Sequence, residues 1–251
     1  MTGKLYLVPA PLDFGCDTAT DLNQSMPDGT LAVAARLQFW ICENAKSTRA
    51  YLKRVGLTHP LCAAIQSLEL TELPREIHKK GDHDGQFDAR HLLHPALQGH
   101  DMGLVSEAGM PAIADPGSSV VRAAHTLGIT VQPLVGPVSL VLALAASGLN
   151  GQQFAFVGYV PSEPASRAQR LRELESIAIQ SGQTQLLIET PYRNAALLQT
   201  LLQTLHSETR LATASGLTLP NAICQSASVG HWRQKKWTLD NTAPTVFAIG
   251  K

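Results

Sequence analysis

The feature that most constrains the fold of this chain is the alternation of short apolar runs with helical patterns in its first half. The runs carry few charges, and we predict buried strands over residues 4–9, 37–42, 61–66, 103–106 and 130–135. Helices are predicted over 45–55 and 86–97, with Pro95 kinking or ending the second. A third helix follows Asp115, which we expect to cap it, with Pro116 at its first position. This alternation predicts a parallel α/β sheet.

The second half of the chain predicts a different sheet. Residues 136–148 are apolar almost all round, which is typical of a helix buried between layers or between domains. Beyond them we predict strands over 153–159, 184–189, 210–215, 223–229 and 245–249, and helices over 163–180 and 193–206. Three strands in succession after two βα units indicate a mixed sheet. At 251 residues, two domains are the better interpretation: a parallel α/β domain over 1–134 and a mixed-sheet α/β domain over 135–251.

Composition excludes several classes of protein. An apolar share of 44% with 16% charged residues excludes a mostly disordered chain. Twenty basic and twenty acidic residues give no net charge. This argues against binding of nucleic acid through the overall charge of the protein but allows a local basic patch. No run reaches the roughly 18 to 20 apolar residues of a membrane span, and no signal-peptide core is visible. We therefore expect a cytoplasmic protein that does not associate with membranes.

The densest group of candidate functional residues is the loop over 106–117, directly after a predicted strand. In open parallel sheets, ligands bind beyond the carboxyl ends of the strands. Small residues allow backbone amides to approach a ligand, and Glu107 and Asp115 are expected to provide fixed negative charge. A tight connection that leads into a capped helix explains the same spacing equally well.

Two further turns follow predicted strands. The turn over 134–139 is expected to place Gly136 and Ser139 beside the same ligand, and the turn over 188–193 follows a strand that ends in Glu189. Three such turns suit a cleft between two domains. The turns contain no Gly-x-Gly-x-x-Gly, no phosphate-binding loop with lysine and no Gly-x-Ser-x-Gly, so dinucleotide, nucleotide-hydrolase and serine-hydrolase functions have little support.

Taken together, the ordered motifs resemble those of the tetrapyrrole methylase superfamily. Similar segments lie at 104–117, 120–122, 133–137 and 146–149. The segments at 5–11, 42–46, 154–161 and 189–193 are most similar to the branch that contains the ribosomal small-subunit RNA ribose 2′-O-methyltransferase. The chain departs from that branch at Leu12-Asp13-Phe14, at Asn44-Ala45 and at His83-Asp84, which indicates a divergent subgroup.

The resemblance implies a two-domain α/β enzyme, usually a homodimer, with S-adenosylmethionine held between the domains. Carried over by position, it implies cofactor contacts in five segments, with the last pair the weakest: Pro9, Ala10 and Pro11; Ala108, Gly109, Met110, Pro111 and Ile113; Gly136, Pro137, Val138 and Ser139; Glu189 and Thr190; Leu217 and Thr218.

Methyl transfer from a sulfonium requires chiefly that acceptor, methyl and sulfur be aligned. A ribose hydroxyl acceptor must also lose its proton, and Glu43 and Glu107 are the candidate catalytic bases. Lys46 or Arg49 would lower the pKa of the carboxylate or position a phosphate. Surface salt bridges and helix caps are the alternative interpretation of these four residues.

Candidate RNA contacts lie in three basic stretches. They are Lys46, Arg49, Lys53 and Arg54 on one predicted helix, Arg167, Arg170 and Arg172 on another, and the tryptophan-flanked run over 231–237. Charged solvent faces and a hairpin turn explain the same residues. Five of the nine histidines lie between His78 and His100, but without a complete set of ligands, and we expect no metal.

The leading hypothesis is an S-adenosylmethionine-dependent methyltransferase that acts on ribosomal RNA, as free RNA or in the small subunit, by ribose 2′-O-methylation. The absence of net positive charge favours a second hypothesis, methylation of a tetrapyrrole or another small molecule. The altered stretch around Glu43 favours a third, a cofactor-binding protein without turnover.

Overall fold

The structure is a computed structural model that describes residues 2–80, 82, 85–235 and 237–251. Its chain divides into two compact units. The first consists of Met1–Phe14 and Thr20–Pro137, and the second of Gly15–Ala19 and Val138–Lys251. The domain ranges 1–134 and 135–251 stay a prediction from the sequence.

The first unit contains a five-stranded parallel sheet, as the alternating pattern predicts. Its order is β3-β2-β4-β1-β5, and the strands are β1 (Lys4–Leu7), β2 (Phe39–Cys42), β3 (Glu69–Glu72), β4 (Met102–Val105) and β5 (Thr130–Pro133). The central strand β4 is buried at all four positions. A Cβ on Gly103 would lie 2.5 Å from the ring of Trp40, so glycine is required where the fully buried indole crosses β4.

Helices cover both faces of this sheet. They are α1 (Asp28–Arg36), α2 (Ala45–Val55), α3 (Arg75–Lys80), α4 (His94–Leu97) and α5 (Ser118–Thr126), with 3-10 turns at Leu22–Gln24, Ile65–Ser67 and Arg90–Leu93. Helix α2 begins where predicted, because the side chain of Asn44 accepts hydrogen bonds from the amides of Lys46 and Ser47. One hydrophobic cluster contains Trp40 and Leu52, and another contains Ile41 and Val120.

Two expectations for the first unit are wrong. The apolar run over 61–66 is not a strand, and the third strand in chain order is instead the charged segment Glu69–Glu72, which pairs in parallel with β2. This segment lies at the sheet edge, where charged side chains reach water. The helix predicted over 86–97 is replaced by the 3-10 turn Arg90–Leu93 and the single turn α4, which has Pro95 in its first turn.

The second unit contains the predicted mixed sheet. Its order is β6-β7-β10-β8-β9, with strands β6 (Phe154–Phe156), β7 (Thr184–Glu189), β8 (Arg210–Ser215), β9 (Ile223–Ser228) and β10 (Thr245–Gly250). Only the β6–β7 pair is parallel. Strand β10 is buried at all six positions, and it lies between β7 and β8 because its uninterrupted apolar sequence suits burial on both faces.

Four helices and a 3-10 turn accompany this sheet: α6 (Ser139–Ser147), α7 (Pro164–Ser181), α8 (Asn194–Thr204), α9 (Val229–Lys235) and the turn Pro191–Arg193. Leucines of α7 and α8 pack with Trp232 and Phe247 in one cluster. Helix α6 packs in a separate cluster through Leu140 and Leu144, while Val141 and Leu142 on its other side are 53% and 40% exposed, so its burial between layers or between domains stays a prediction. No described helix is long and apolar enough to span a bilayer.

Candidate active site

The turns that follow β1 and β4 are joined by backbone hydrogen bonds. The amide of Ala10 donates to the carbonyl of Gly109 at 2.9 Å, and the amide of Gly109 donates back to the carbonyl of Ala10 at 2.9 Å. Gly109 has a φ of 69°, a conformation in which a β-carbon is strained. The structure therefore brings the predicted segments Pro9–Pro11 and 108–111 together at the carboxyl edge of the parallel sheet.

The turn that follows β5 contacts the same surface. A Cβ on Gly136 would lie 2.3 Å from Cγ of Pro9, so only glycine allows this approach. A Cβ on Gly109 would lie 3.6 Å from the carbonyl oxygen of Pro137. In addition, the hydroxyl of Thr30 donates to the carbonyl of Val135 at 2.7 Å, which ties α1 to this turn. The predicted cofactor segments 9–11 and 108–111 and the residues 136–137 are thus neighbours within the first unit.

The loop between β4 and α5 is strained. Ala112 and Ala114 have φ values of 65° and 64°, which non-glycine residues seldom adopt. Ile113, between them, is 46% exposed, and its amide donates to the carbonyl of Met110 at 3.3 Å. Strained residues of this kind concentrate at ligand-binding loops, where the surrounding structure holds them.

Helix α5 begins differently from the prediction. Its N-cap is Gly117 rather than Asp115, with a φ of 136°. The carboxylate of Asp82 accepts hydrogen bonds from the amides of Gly117 and Ser119, at 3.0 and 2.8 Å, and from the hydroxyls of Ser118 and Ser119. A residue 35 positions earlier therefore provides the capping carboxylate, and no local sequence motif indicates it.

Asp115 lies instead in an acidic cluster with Glu43 and Glu107. Burial, followed by the negative charges of Glu43 and then of Glu107, raises the pKa of Asp115 to about 7. A carboxyl with this pKa is partly protonated at neutral pH, whereas the sequence led to the expectation of a fixed negative charge at Asp115. We define Glu43, Glu107 and Asp115 as the acidic cluster.

The two predicted bases lie at the ends of adjacent strands. Glu43 follows β2, Glu107 lies two residues beyond the end of β4, and these strands pair in parallel. The hydroxyl of Ser47, in the first turn of α2, lies 3.2 Å from Oε1 of Glu107 and donates to it. The sequence indicated Glu43 and Glu107 as bases and Asp115 as a helix cap and a fixed charge, but it did not predict that the three carboxyls interact.

Helix α2 presents part of its predicted basic surface. Lys46, Arg49 and Lys53 are exposed. Arg54 has a structural partner, because its guanidinium binds both carboxylate oxygens of Asp13 at 3.0 and 2.8 Å. Asp13 is one of the positions at which the sequence departs from the ribosomal RNA methyltransferase branch. Its carboxylate is paired with an arginine of the same unit.

In the second unit, the predicted contact residues Glu189 and Thr190 form a compact turn. The carboxylate of Glu189 accepts the amide of Thr190 at 2.8 Å and lies 3.0 Å from Nη2 of Arg193. Arg193 also donates to the hydroxyl of Thr190 at 3.1 Å and lies over the ring of Tyr192. Glu189 is 5% exposed, so its negative charge is neutralised by an ion pair within the turn.

A buried polar network stands beside this turn. The amide nitrogen of Asn194 donates to the carbonyl of Ala243 at 2.9 Å and to the hydroxyl of Thr245 at 3.0 Å. The hydroxyls of Ser215 and Thr245 lie 2.6 Å apart. These bonds join the end of β8 to the start of β10 and the start of α8. Sequence reasoning missed Asn194, because an asparagine at a helix start looks like an ordinary cap.

The remaining predicted contacts of the second unit lie in two places. Val138 and Ser139 are half-buried at the start of α6. Leu217 and Thr218 are half-buried after β8, and Thr218 has a φ of 71°. A positive φ at threonine is strained, as at Ala112 and Ala114.

Basic residues of the second unit also make hydrogen bonds and ion pairs within that unit. Arg167 donates to the carbonyls of Pro161 and Ser162, and Arg170 pairs with Glu173. Residues 231–235 of the tryptophan-flanked run belong to helix α9 rather than to a hairpin, and Trp232 is fully buried, with its indole N–H donating to the carbonyl of Leu211 at 2.8 Å. Stacking of a base on Trp232 is therefore excluded, while Trp237 is only half-buried.

The histidine-rich segment shows local contacts. Asp88 binds Arg90, whose hydrogen bonds lower the pKa of that carboxyl to about 2. Nδ1 of His91 lies 3.0 Å from the carbonyl oxygen of Asp88. His83 and Asp84 lie outside the described residues. Over the described ranges, no three histidine, cysteine, aspartate or glutamate side chains form a group that could hold a metal ion.

Comparison with known families agrees with this arrangement of turns. Residues 41–230 match the family described as Tetrapyrrole (Corrin/Porphyrin) Methylases. The chain belongs to this family. It matches two solved structures with TM-scores of 0.59 and 0.53, the methyltransferase CobJ and uroporphyrin-III-C-methyltransferase from Thermus thermophilus. The alignments cover 100% and 99% of this chain and 95% and 94% of those chains, at 16% and 20% identity, and show a common fold.

Among its relatives are proteins named Ribosomal RNA small subunit methyltransferase I. That of Xylella fastidiosa is 34% identical over 85% of this chain and 67% of its own length, and that of Escherichia coli O157:H7 is 28% identical over 91% and 70%. That of Vibrio cholerae is 36% identical over 55% of this chain and 46% of its own length. The matches therefore span between about half and about two thirds of these three relatives.

Proposed function

We propose that this chain is an S-adenosylmethionine-dependent methyltransferase that methylates a ribose 2′-hydroxyl of small-subunit ribosomal RNA. The observation that carries the proposal is the similarity, over 85% and 91% of the chain, to relatives named for methylation of that RNA. We infer that the methyl group goes to a ribose 2′-hydroxyl because the sequence motifs resemble those of the 2′-O-methyltransferase branch of the family.

The strand-end turns of the first unit support the cofactor. Gly109 and Gly136 stand where added β-carbons would meet other atoms or strain the backbone, so the turns present main chain rather than side chains. Carbonyls and carboxylates suit a positively charged sulfur, and the acidic cluster belongs to the same unit. We propose that Pro9–Pro11, 108–111, Ile113 and 136–137 contact the cofactor, together with Val138, Ser139, Glu189, Thr190, Leu217 and Thr218.

When bound, S-adenosylmethionine supplies a methyl group on a positively charged sulfur, which an aligned nucleophile can take. The chain must then align the ribose oxygen and accept its proton. We propose Glu43 or Glu107 as the proton acceptor, because both follow adjacent strands at the carboxyl edge of the sheet. Exposed Lys46 and Arg49, on the helix that follows Glu43, are proposed to bind the RNA phosphates.

The assembly and location of the enzyme rest on the resemblance. We propose a homodimer in the cytoplasm that acts on ribosomal RNA, either free or in the small subunit. Analytical ultracentrifugation of the purified chain tests the oligomeric state, and a monomer at all concentrations would contradict it.

Transfer of tritium from labelled S-adenosylmethionine tests the activity. The acceptors are ribosomal RNA, isolated small subunits and porphyrinoids. Label in the RNA, in a nucleotide that resists alkaline hydrolysis, is the expected result. Label in a porphyrinoid alone would favour a small-molecule methyltransferase, and tight cofactor binding without any transfer would indicate a protein without turnover. The variants Glu43→Gln and Glu107→Gln then identify the base, whose loss costs roughly 100- to 10,000-fold in kcat.

Substitution of Gly109 tests the cofactor site. We expect Gly109→Val to abolish S-adenosylmethionine binding in calorimetry, because φ is 69° and the added side chain would meet Leu12. Gly128→Val is the matched control, since Gly128 has a φ of 68° in the same unit and open space around it. The control carries the same backbone strain outside the site. Equal cofactor affinity in the two folded variants would refute the assignment of this turn.

A further inference from the structure

An open groove of about 740 Å³ lies along α8 and α9 in the second unit. It is lined by Gln199, Leu202, Gln203, Trp232, Arg233, Trp237 and Thr238. None of these residues belongs to the proposed cofactor contacts or to the acidic cluster. The methyl-transfer chemistry proposed above thus gives the groove no role.

An indole forms part of its wall. Trp237 is half-buried and makes an edge-to-face contact with Trp232, with ring centroids 4.5 Å apart and planes at 86°. Trp232 is held by burial and by its hydrogen bond to Leu211. Because its neighbour is fixed, Trp237 is restrained in orientation, which lowers the entropy cost of stacking a planar ligand on it.

Two primary amides face the same groove. Gln199 and Gln203 are exposed and stand one helical turn apart on α8, so both lie on one helix face. Within the described part of the chain, neither side-chain amide has a hydrogen-bond partner. An amide offers a donor and an acceptor side by side, which matches the alternating groups on the edge of a nucleobase.

The described lining of the groove contains one cation, Arg233, and no carboxylate. Nε and Nη2 of Arg233 bind the carbonyls of Leu202 and Leu205 at 2.8 and 2.7 Å, which fixes the guanidinium at the end of α8. Neither bond uses Nη1. Lys235 is exposed two residues further on, and residues 229–239 contain no aspartate or glutamate. A fixed cation beside an aromatic and two amides is complementary to a nucleotide, whose phosphate is anionic and whose base is planar.

We propose that this groove binds one unpaired nucleotide of an RNA, with its base between Trp237 and the two glutamine amides and its phosphate at Arg233. The proposal rests on the proposed function, since an RNA substrate is what would supply unpaired nucleotides. A peptide is less complementary, because it has no planar group paired with an obligatory negative charge.

Tryptophan fluorescence tests the proposal directly. Trp40 and Trp232 are fully buried, so among the three tryptophans only Trp237 is accessible to a stacking base. Titration with oligoadenylate in the absence of cofactor is expected to quench its emission in a saturable way. Trp237→Phe should remove the quenching and weaken binding, measured by calorimetry, roughly 5- to 100-fold.

A second variant tests the groove in case Trp237→Phe disturbs folding. Gln199→Ala with Gln203→Ala places a strong helix former at two exposed sites, so α8 should persist while affinity falls about tenfold. Gln169→Ala with Gln180→Ala is the matched control, because these glutamines are exposed on α7 of the same unit. The control should bind oligoadenylate as the original chain does.

Three results would overturn the proposal. They are unchanged affinity in both groove variants, equal quenching by inorganic polyphosphate, which has no bases, and quenching by an acidic peptide but not by oligoadenylate. The binding assay needs no cofactor and no turnover. A chain that binds oligoadenylate through these residues but transfers no methyl group to RNA therefore contradicts the proposed function alone, whereas active transfer with an inert groove contradicts this inference alone.

Discussion

Two aspartates near the start of α5 show opposite effects of burial. Burial by itself raises the pKa of both carboxyls. At Asp82 the hydrogen bonds from Ser119, Ser118 and Gly117 outweigh it, and the pKa falls below its usual value of 3.8. At Asp115 the pKa rises to about 7, because burial acts together with the charges of Glu43 and Glu107. The number of hydrogen bonds that the ionised carboxylate accepts, rather than the extent of its burial, decides whether it is charged.

The difference has opposite consequences for stability. A lowered pKa at Asp82 stabilises the fold above the unfolded value of 3.8, and this contribution is lost as the pH falls through the folded pKa. A raised pKa at Asp115 has the reverse sign: the contribution is complete below 3.8 and is lost as the pH rises through about 7. One carboxyl supports the helix, and the other is held in an unfavourable environment, as is common where chemistry occurs.

Removal of the Asp82 carboxylate should have the largest effect. Asp82→Ala leaves the buried amides of Gly117 and Ser119 without their acceptor, so we expect the free energy of unfolding to fall by about 4 kcal/mol at pH 7. Urea denaturation measures it. Asp88→Ala is the control, since Asp88 is exposed and its bonds are to Arg90. A loss below 1 kcal/mol would show that water replaces the cap.

Neutralisation of Asp115 should stabilise the protein. Asp115→Asn removes a carboxyl whose ionisation is unfavourable, so we expect a gain of about 3 kcal/mol at pH 8 that shrinks as the pH approaches 4. Urea denaturation across this range gives the profile. A gain independent of pH, or none at pH 8, would contradict the raised pKa.

The neighbours of Asp115 can be ranked. Glu43→Gln should lower the pKa of Asp115 more than Glu107→Gln does, because the charge of Glu43 has the larger effect. Both shifts should be smaller than the one caused by burial, which is the largest cause of the raised pKa. Carbon-13 NMR of labelled aspartate carboxyls follows the titration, with Asp115→Asn identifying the signal. The reverse order would mean that Glu107 is the closer charge.

The smallest effect is expected at Ser47. Ser47→Ala removes a half-buried hydroxyl that donates to Glu107, which should cost about 0.5–1 kcal/mol of stability near pH 7. Thermal denaturation with Ser47→Ala in the Glu107→Ala background, which has no side-chain acceptor, separates this bond from helix propensity. If the cost is the same in both backgrounds, the bond to Glu107 contributes nothing.

Patterns of short range predicted much of the fold and part of the site. The limits of α2 follow from Asn44 and its helical periodicity, and the burial of β4 follows from its apolar sequence, although its place in the strand order does not. The strand at Glu69–Glu72 escaped prediction because an edge strand carries charge, and apolar Leu61–Gln66 looked more like a buried one. The glycines of the site were identified from motifs, but the contact of Gly136 with Pro9 is visible only in the folded unit.

The sequence alone determined the two sheet types, the family and the turns that the cofactor is proposed to contact, because periodicity and small-residue motifs act over a few neighbouring residues. Only the tertiary structure decided which aspartate caps α5, which carboxyl holds a proton near neutral pH and which tryptophan faces a groove. Capping bonds, desolvation and charge–charge interactions join residues far apart in the chain, and their balance depends on distances that folding alone sets.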